Sequence, residues 1–178
     1  MNDAGLTPAD TTARHIADVA HSAGIRLVAS LPDGWITKLI ETFDADERFR
    51  HVAVNREESA IGLCSGAYLS GIGTFALMGA SGFMTCIYAL TKINFTYQIP
   101  LLIGITNRGA TGDGAKFHQS NGLYLKPVID ALHLKYVTIT RQSELPRLAA
   151  AAAHARTYAR PVVVSFGRTL LKGGDDAE

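Results

Sequence analysis

Two stretches of this 178-residue chain hold side chains whose types and spacing could do chemistry. NREE, residues 55–58, closes an apolar run and opens an amphipathic one, so Glu57 falls in the first turn of a predicted helix. A carboxylate there is favoured by the helix dipole, by ~0.3–1 kcal/mol, and is also a candidate acid or base. Asn55 and Glu58 have the spacing of a capping box, which gives Glu58 a structural task and leaves Glu57 available. The second stretch, GATGDGAKFH at 109–118, sets Gly112, Asp113 and Gly114 in a loop. Backbone N–H groups of such a loop can cradle phosphate oxygens while the carboxylate holds a divalent cation. Against that reading, no Walker lysine follows and residues 116–120 intervene before the next predicted helix, whereas a phosphate cradle hands its anion directly to a helix N-terminus. A turn is therefore the favoured reading of residues 112–114. His118 ends the stretch.

The elements that must position these groups are legible from periodicity. Short, continuously apolar runs at 25–29, 51–54, 74–78, 100–106, 136–140 and 161–166 predict strands, and amphipathic segments near 10–23, 34–43, 56–70, 82–96, 122–132 and 143–158 predict helices. Strands that are apolar throughout, instead of alternating, belong to a parallel sheet covered on both faces. The expectation is one α/β domain over residues 1–178: a doubly wound, mostly parallel six-stranded sheet with helices on both faces. Ligands then gather at the carboxyl ends of the strands, which points to the loops SLPDG, NREE, GASG and the long one after residue 106. The helix after Glu57 carries Gly62, Ser65, Gly66, Ser70 and Gly71. An interior glycine costs about 1 kcal/mol against alanine, so close approach of another element is expected there.

Composition excludes several classes. With 17 basic and 16 acidic residues and no basic run, the chain has no electrostatic footprint for nucleic acid or an anionic membrane. Its start lacks the basic and apolar regions of a secretory leader, and no apolar run approaches the ~20 residues that span a bilayer, so a cytoplasmic location is expected. Cys64 and Cys86 fall in separate predicted helices, as buried free thiols and not as a metal or disulfide pair.

Glu57, the small residues after it and GAYLSG at 66–71 resemble the pyrimidine-binding domain of thiamine diphosphate-dependent 2-oxo acid decarboxylases. The likeness continues through LPDGW, MGASG, INFTYQIPLLIGITNRG and His118 with Gly122. Within that family it is greatest to sulfopyruvate decarboxylase alpha subunits, and next to the N-terminal part of phosphonopyruvate decarboxylase. The resemblance implies that Glu57 is catalytic and cofactor-binding, hydrogen-bonding the aminopyrimidine and favouring the imino tautomer that takes the thiazolium C2 proton. Ser81, Gly82 and Pro32 are implied as further cofactor contacts. Asp33, Arg108 and His118 are implied at the substrate, His118 as a catalytic imidazole and Arg108 as a guanidinium able to pair with a sulfonate or phosphonate. Asp33 has an alternative task as cap of a helix beginning at Trp35.

In this family a Gly-Asp-Gly holds the diphosphate and Mg2+ only with an asparagine about two dozen residues later, and here the last asparagine is Asn121. The resemblance thus implies no metal ligands in this chain. Thiamine diphosphate is shared with a separate diphosphate-binding beta subunit that holds the Mg2+, in an α2β2 or larger assembly that alone is active. One departure stands out. The family stretch Gln-Asn-Ser-Gly-Leu-Gly-Asn is here Gly79, Ala80, Ser81, Gly82, Phe83, Met84 and Thr85, keeping only the Ser-Gly core. The alternatives are a carboligase subunit using the same cofactor and a non-catalytic binding module on the same fold.

Overall fold

The computed structural model describes residues 5–109 and 113–174. Each apolar run is a strand: β1 (Ile25–Ser30), β2 (Arg50–Ala53), β3 (Gly73–Met78), β4 (Leu101–Thr106), β5 (Lys135–Ile139) and β6 (Pro161–Phe166). They form one sheet in the order β2-β1-β3-β4-β6-β5, with every pairing parallel. The inner strands β4 and β6 are buried at all six positions, which explains why Thr106 and Ser165 are the only polar side chains they carry. The edge strands β2 and β5 are four and five residues long, begin with Arg50 and Lys135, and stay partly exposed.

Helices cover both faces. On one, α1 (Pro8–Ser22), α2 (Thr37–Ala45), α7 (Pro146–Tyr158) and α8 (Arg168–Leu171) bury Ile16, Phe43, Leu148 and Leu170 against Phe75 and Val164 of the sheet. On the other, α3 (Glu57–Leu69), α4 (Ala80–Thr85), α5 (Ile87–Ala89) and α6 (Gln119–Ala131) bury Ile61, Phe83 and Ile129 against Ala76 and Ile103.

Four expectations need correcting. The capping box at 55–58 does not form: α3 starts at Glu57 with Arg56 as N-cap, so Glu58 stands second and not third in the helix, and its carboxylate is taken by the Arg56 guanidinium at 3.1 Å. A box does form at α1, where Thr7 and Asp10 cap each other. The helix expected at 82–96 is three pieces, since a π-helical turn, Leu90–Phe95, follows α5. In that widened turn Asn94 is fully buried and its amide donates to Ser65 Oγ and to the Ile99 carbonyl, both at 3.1 Å. The segment before α6 is shorter than expected, because the 3-10 turn Lys116–His118 runs directly into Gln119. Finally, the close approach expected at α3 is made at Ser65, by Asn94, and not at its glycines: a Cβ built at Gly62 or Gly66 meets no heavy atom of the described residues within 4 Å.

Candidate active site

The chain leaves β1 toward β2 on one side and leaves β3 toward β4 on the other, so β1 and β3 flank the switch point where ligands of such sheets bind. The loops at their carboxyl ends touch there. A Cβ on Gly79, the N-cap of α4, would lie 2.7 Å from Asp33 Oδ2, and only glycine lets the Asp33 carboxylate rest on the end of β3.

Two clusters flank the first turn of α4. The first is Glu57 over Gly82. A Cβ on Gly82 would fall 2.0 Å from Glu57 Oε1, so the carboxylate occupies the space that the missing side chain leaves. Its neighbour Glu58 is engaged by Arg56, whose guanidinium holds that carboxyl below its usual range. Among the described residues Glu57 has no hydrogen-bond or ion-pair partner, although it is only half-exposed. An unpartnered carboxylate at a helix N-terminus can accept a hydrogen bond from a ligand or share a proton with one. Ser81 lies beside this pair, its hydroxyl bonded to the buried Asn121 amide at 3.0 and 3.1 Å.

The second cluster joins three of the residues expected at a substrate. Arg108 Nη2 donates to Asp33 Oδ1 at 2.5 Å, Nη1 donates to His118 Nε2 at 2.6 Å, and Nε donates to Thr106 Oγ1 at 3.3 Å. The guanidinium also lies over the Trp35 ring, 4.3 Å from its centroid, with Arg168 over the same ring at 5.2 Å. Asp33 Oδ1 also accepts the Trp35 N–H at 2.9 Å. The turn that it caps precedes α2, which starts at Thr37 and not at Trp35. His118 is 6% exposed, and its Nδ1 lies within hydrogen-bond distance of Asp113, 2.8 Å from Oδ2. Asp113 further accepts the N–H groups of Gly109, at 2.9 Å, and Ala115, at 3.2 Å. Those backbone bonds, with His118, hold its carboxyl far below the usual carboxylate range. Thr106 Oγ1 also accepts the Ala80 N–H at 3.3 Å, tying this cluster to the start of α4.

The loop is brought to α6 by two glycines. Gly109 has φ +78°, and a Cβ on it would lie 2.5 Å from Gly122 N; one on Gly122 would lie 2.2 Å from the Gly109 carbonyl oxygen. Backbone thus crosses backbone, which sets both Arg108 and His118 beside the sheet.

The structure brings Asp33, Arg108 and His118 together, sets Glu57 on Gly82 with Ser81 adjacent, and leaves Pro32 exposed beside Asp33. Of the Gly-Asp-Gly, Gly112 lies outside the described residues, and Asp113 is committed to two backbone N–H groups and an imidazole. Sequence reasoning missed Trp35, Thr106, Arg168 and the part played by Asp113. LPDGW held the signal for Trp35, but nothing in the five-residue spacing from Asp113 to His118 marks a contact. Among the described residues no helix is long and apolar enough to cross a membrane.

Fold and site define a doubly wound α/β domain with its polar groups collected at the switch point. The same fold is found in the 2-oxoglutarate:ferredoxin oxidoreductase from Magnetococcus marinus, with a TM-score of 0.73 over 93% of this chain and 29% of that one, at 15% identity. No protein-family model matches the chain. It is 30% identical over 126 residues to sulfopyruvate decarboxylase subunit alpha of Methanococcus maripaludis, covering 71% of this chain and 75% of the relative. It is also 30% identical over 146 residues, 82% of its own length, to sulfopyruvate decarboxylase of Methanosarcina acetivorans, of which it spans 37%. The chain belongs to the sulfopyruvate decarboxylase family, on the side of the alpha subunits.

Proposed function

We propose that the chain is a single pyrimidine-binding domain, the alpha subunit of a heteromeric, cytoplasmic decarboxylase that uses thiamine diphosphate on an anionic 3-substituted pyruvate such as sulfopyruvate or phosphonopyruvate. The observation that carries this reading is the unpartnered Glu57 carboxylate held over Gly82. It fits a protonated or proton-sharing ring nitrogen, and so the aminopyrimidine end of the cofactor. The diphosphate end does not fit here, because Asp113 is taken and no group of three or more His, Cys, Asp or Glu among the described residues could hold a metal. We assign the diphosphate and Mg2+ to a beta subunit, in an α2β2 or larger assembly.

When bound, thiamine diphosphate supplies a carbon nucleophile for the 2-oxo group and an electron sink for the departing carboxylate. The chain supplies proton management and orientation. Glu57 shares a proton with the aminopyrimidine ring nitrogen, with Ser81, Gly82 and Pro32 forming the wall beside it. Asp33, Arg108 and His118 meet the substrate, where the guanidinium contributes a fixed positive charge toward an acidic head and the imidazole a proton acceptor. The open side of α3, with Gly62 and Gly66 uncovered and Leu63 and Leu69 exposed, suits a docked partner.

The test is Glu57→Gln in the complex reconstituted with a beta subunit. Glutamine keeps the shape but cannot take up the proton, so hydrogen-to-deuterium exchange at the cofactor C2 should slow by about 10²–10⁴-fold. Unchanged exchange would reduce Glu57 to a residue that serves the helix dipole.

A further inference from the structure

We propose that Asp113 is a positioning residue that holds His118 in one tautomer, with the proton on Nδ1 and the lone pair on Nε2. Guanidinium nitrogens only donate, so the 2.6 Å contact from Arg108 Nη1 requires Nε2 to accept. A neutral imidazole that accepts at Nε2 carries its proton on Nδ1, and the groups facing Nδ1 are the Asp113 oxygens at 2.8 and 3.0 Å. Both ends of the ring are therefore specified: a carboxylate fixes the proton and a cation fixes the lone pair. The carboxylate is itself fixed, because Gly109 N and Ala115 N donate to its two oxygens. His118 and Asp113 side chains are each 8% exposed, which keeps water from competing for these bonds. Packing agrees, since Phe117 and Trp35 both meet the His118 ring edge-on, at 4.3 and 5.9 Å between centroids.

The consequence is a direction for chemistry. In this state Nε2 takes a proton and does not give one. A proton arriving on Nε2 would set N–H against N–H and release the Arg108 guanidinium from the ring. The aspartate of the Gly-Asp-Gly sequence thus works through an imidazole instead of a metal. This inference deepens the reading of His118 as a group at the substrate and rests on it for its catalytic meaning, but the tautomer itself does not.

The experiment uses the full chain labelled with 15N at histidine, with long-range proton–nitrogen correlation spectra recorded at pH 8 and the His118 signals assigned by their loss in His118→Gln. The wild type should show His118 protonated at Nδ1; protonation at Nε2 overturns the proposal whatever the enzyme does. Asp113→Ala should convert His118 to a mixture or to the Nε2–H form while the amide signals of β3 and β6, read in a uniformly 15N-labelled sample of the same variant, stay in place; retention of a pure Nδ1–H form overturns the role of Asp113. In the complex with the beta subunit, Asp113→Ala should lower kcat about 10- to 100-fold, as loss of a group orienting a functional imidazole does, and Asp113→Glu should recover part of it. A complex with no decarboxylase activity in the wild type would defeat the functional reading and leave the tautomer result standing.

Discussion

Gly82→Ala sets the Glu57 assignment against the geometry most directly. The added methyl would lie 2.0 Å from Glu57 Oε1, 2.4 Å from Cδ and 2.5 Å from Cγ, where ordinary contact begins at 3.4 Å. The carboxylate must therefore withdraw by more than about 1 Å. Withdrawal is inexpensive for the fold, because Glu57 is half-exposed, has no partner to lose among the described residues and swings about its own χ angles. Alanine in place of a helical glycine gains up to ~1 kcal/mol, so the melting temperature should hold or rise by about 2–4 °C. Catalysis is less tolerant, since misplacing a reacting group by about 1 Å costs on the order of 10²-fold. The assay is the exchange rate of the cofactor C2 proton in the assembled enzyme, read beside the thermal transition of the same preparation. Normal exchange in a stable Gly82→Ala complex would refute the argument that this glycine exists to seat the carboxylate, and a large fall in melting temperature would show that it packs for the fold instead.

His118→Ala should keep near-normal C2 exchange but reduce turnover about 10²–10⁴-fold, because the imidazole belongs to the Arg108 cluster and not to that of Glu57; a matching loss in both readouts would contradict the separation. Gly66→Leu, on the open side of α3, should hold or raise the melting temperature of the isolated chain and weaken its binding to the beta subunit at least about tenfold, measured by calorimetric titration; full-strength binding would free that face of any docking role. Burial pushes the thiols of Cys64 and Cys86 up to about 12 from the ordinary 9.0, so both stay protonated at pH 8. Ellman's reagent should report neither thiol in the native chain and both after unfolding, and prompt reaction of one would mean that the packing over it, on α3 for Cys64 or at the α4–α5 junction for Cys86, opens readily.

The sheet was legible because its physics is local: a strand covered on both faces is apolar at nearly every position, and VVV at 162–164 or LLIGI at 101–105 has no other economical reading. The helix starts near the site were not, because each turns on a contact between residues two apart that the hydrophobic pattern does not record. Arg56 claims Glu58 and moves the start of α3; Asp33 caps Trp35 and delays α2. The π-helical turn is invisible in sequence, since its reason is the buried Asn94 reaching Ser65, 29 residues away. Glu57, Asp33, Arg108 and His118 were found by resemblance, not by spacing. What joins the last three is a guanidinium stacked on Trp35, and a contact between residues 33, 35, 108 and 118 leaves no period to detect.

The edge strands carry a consequence for how this protein meets others. β2 and β5 are short, start with Arg50 and Lys135, and offer only four or five residues of free backbone each. A neighbour cannot extend such a sheet far before it meets a charge or runs out of strand. Short, charged edges of this kind disfavour strand addition and leave contacts to side-chain surfaces, where shape discriminates among partners. A backbone ladder would accept any extended chain; this architecture instead demands a matching surface.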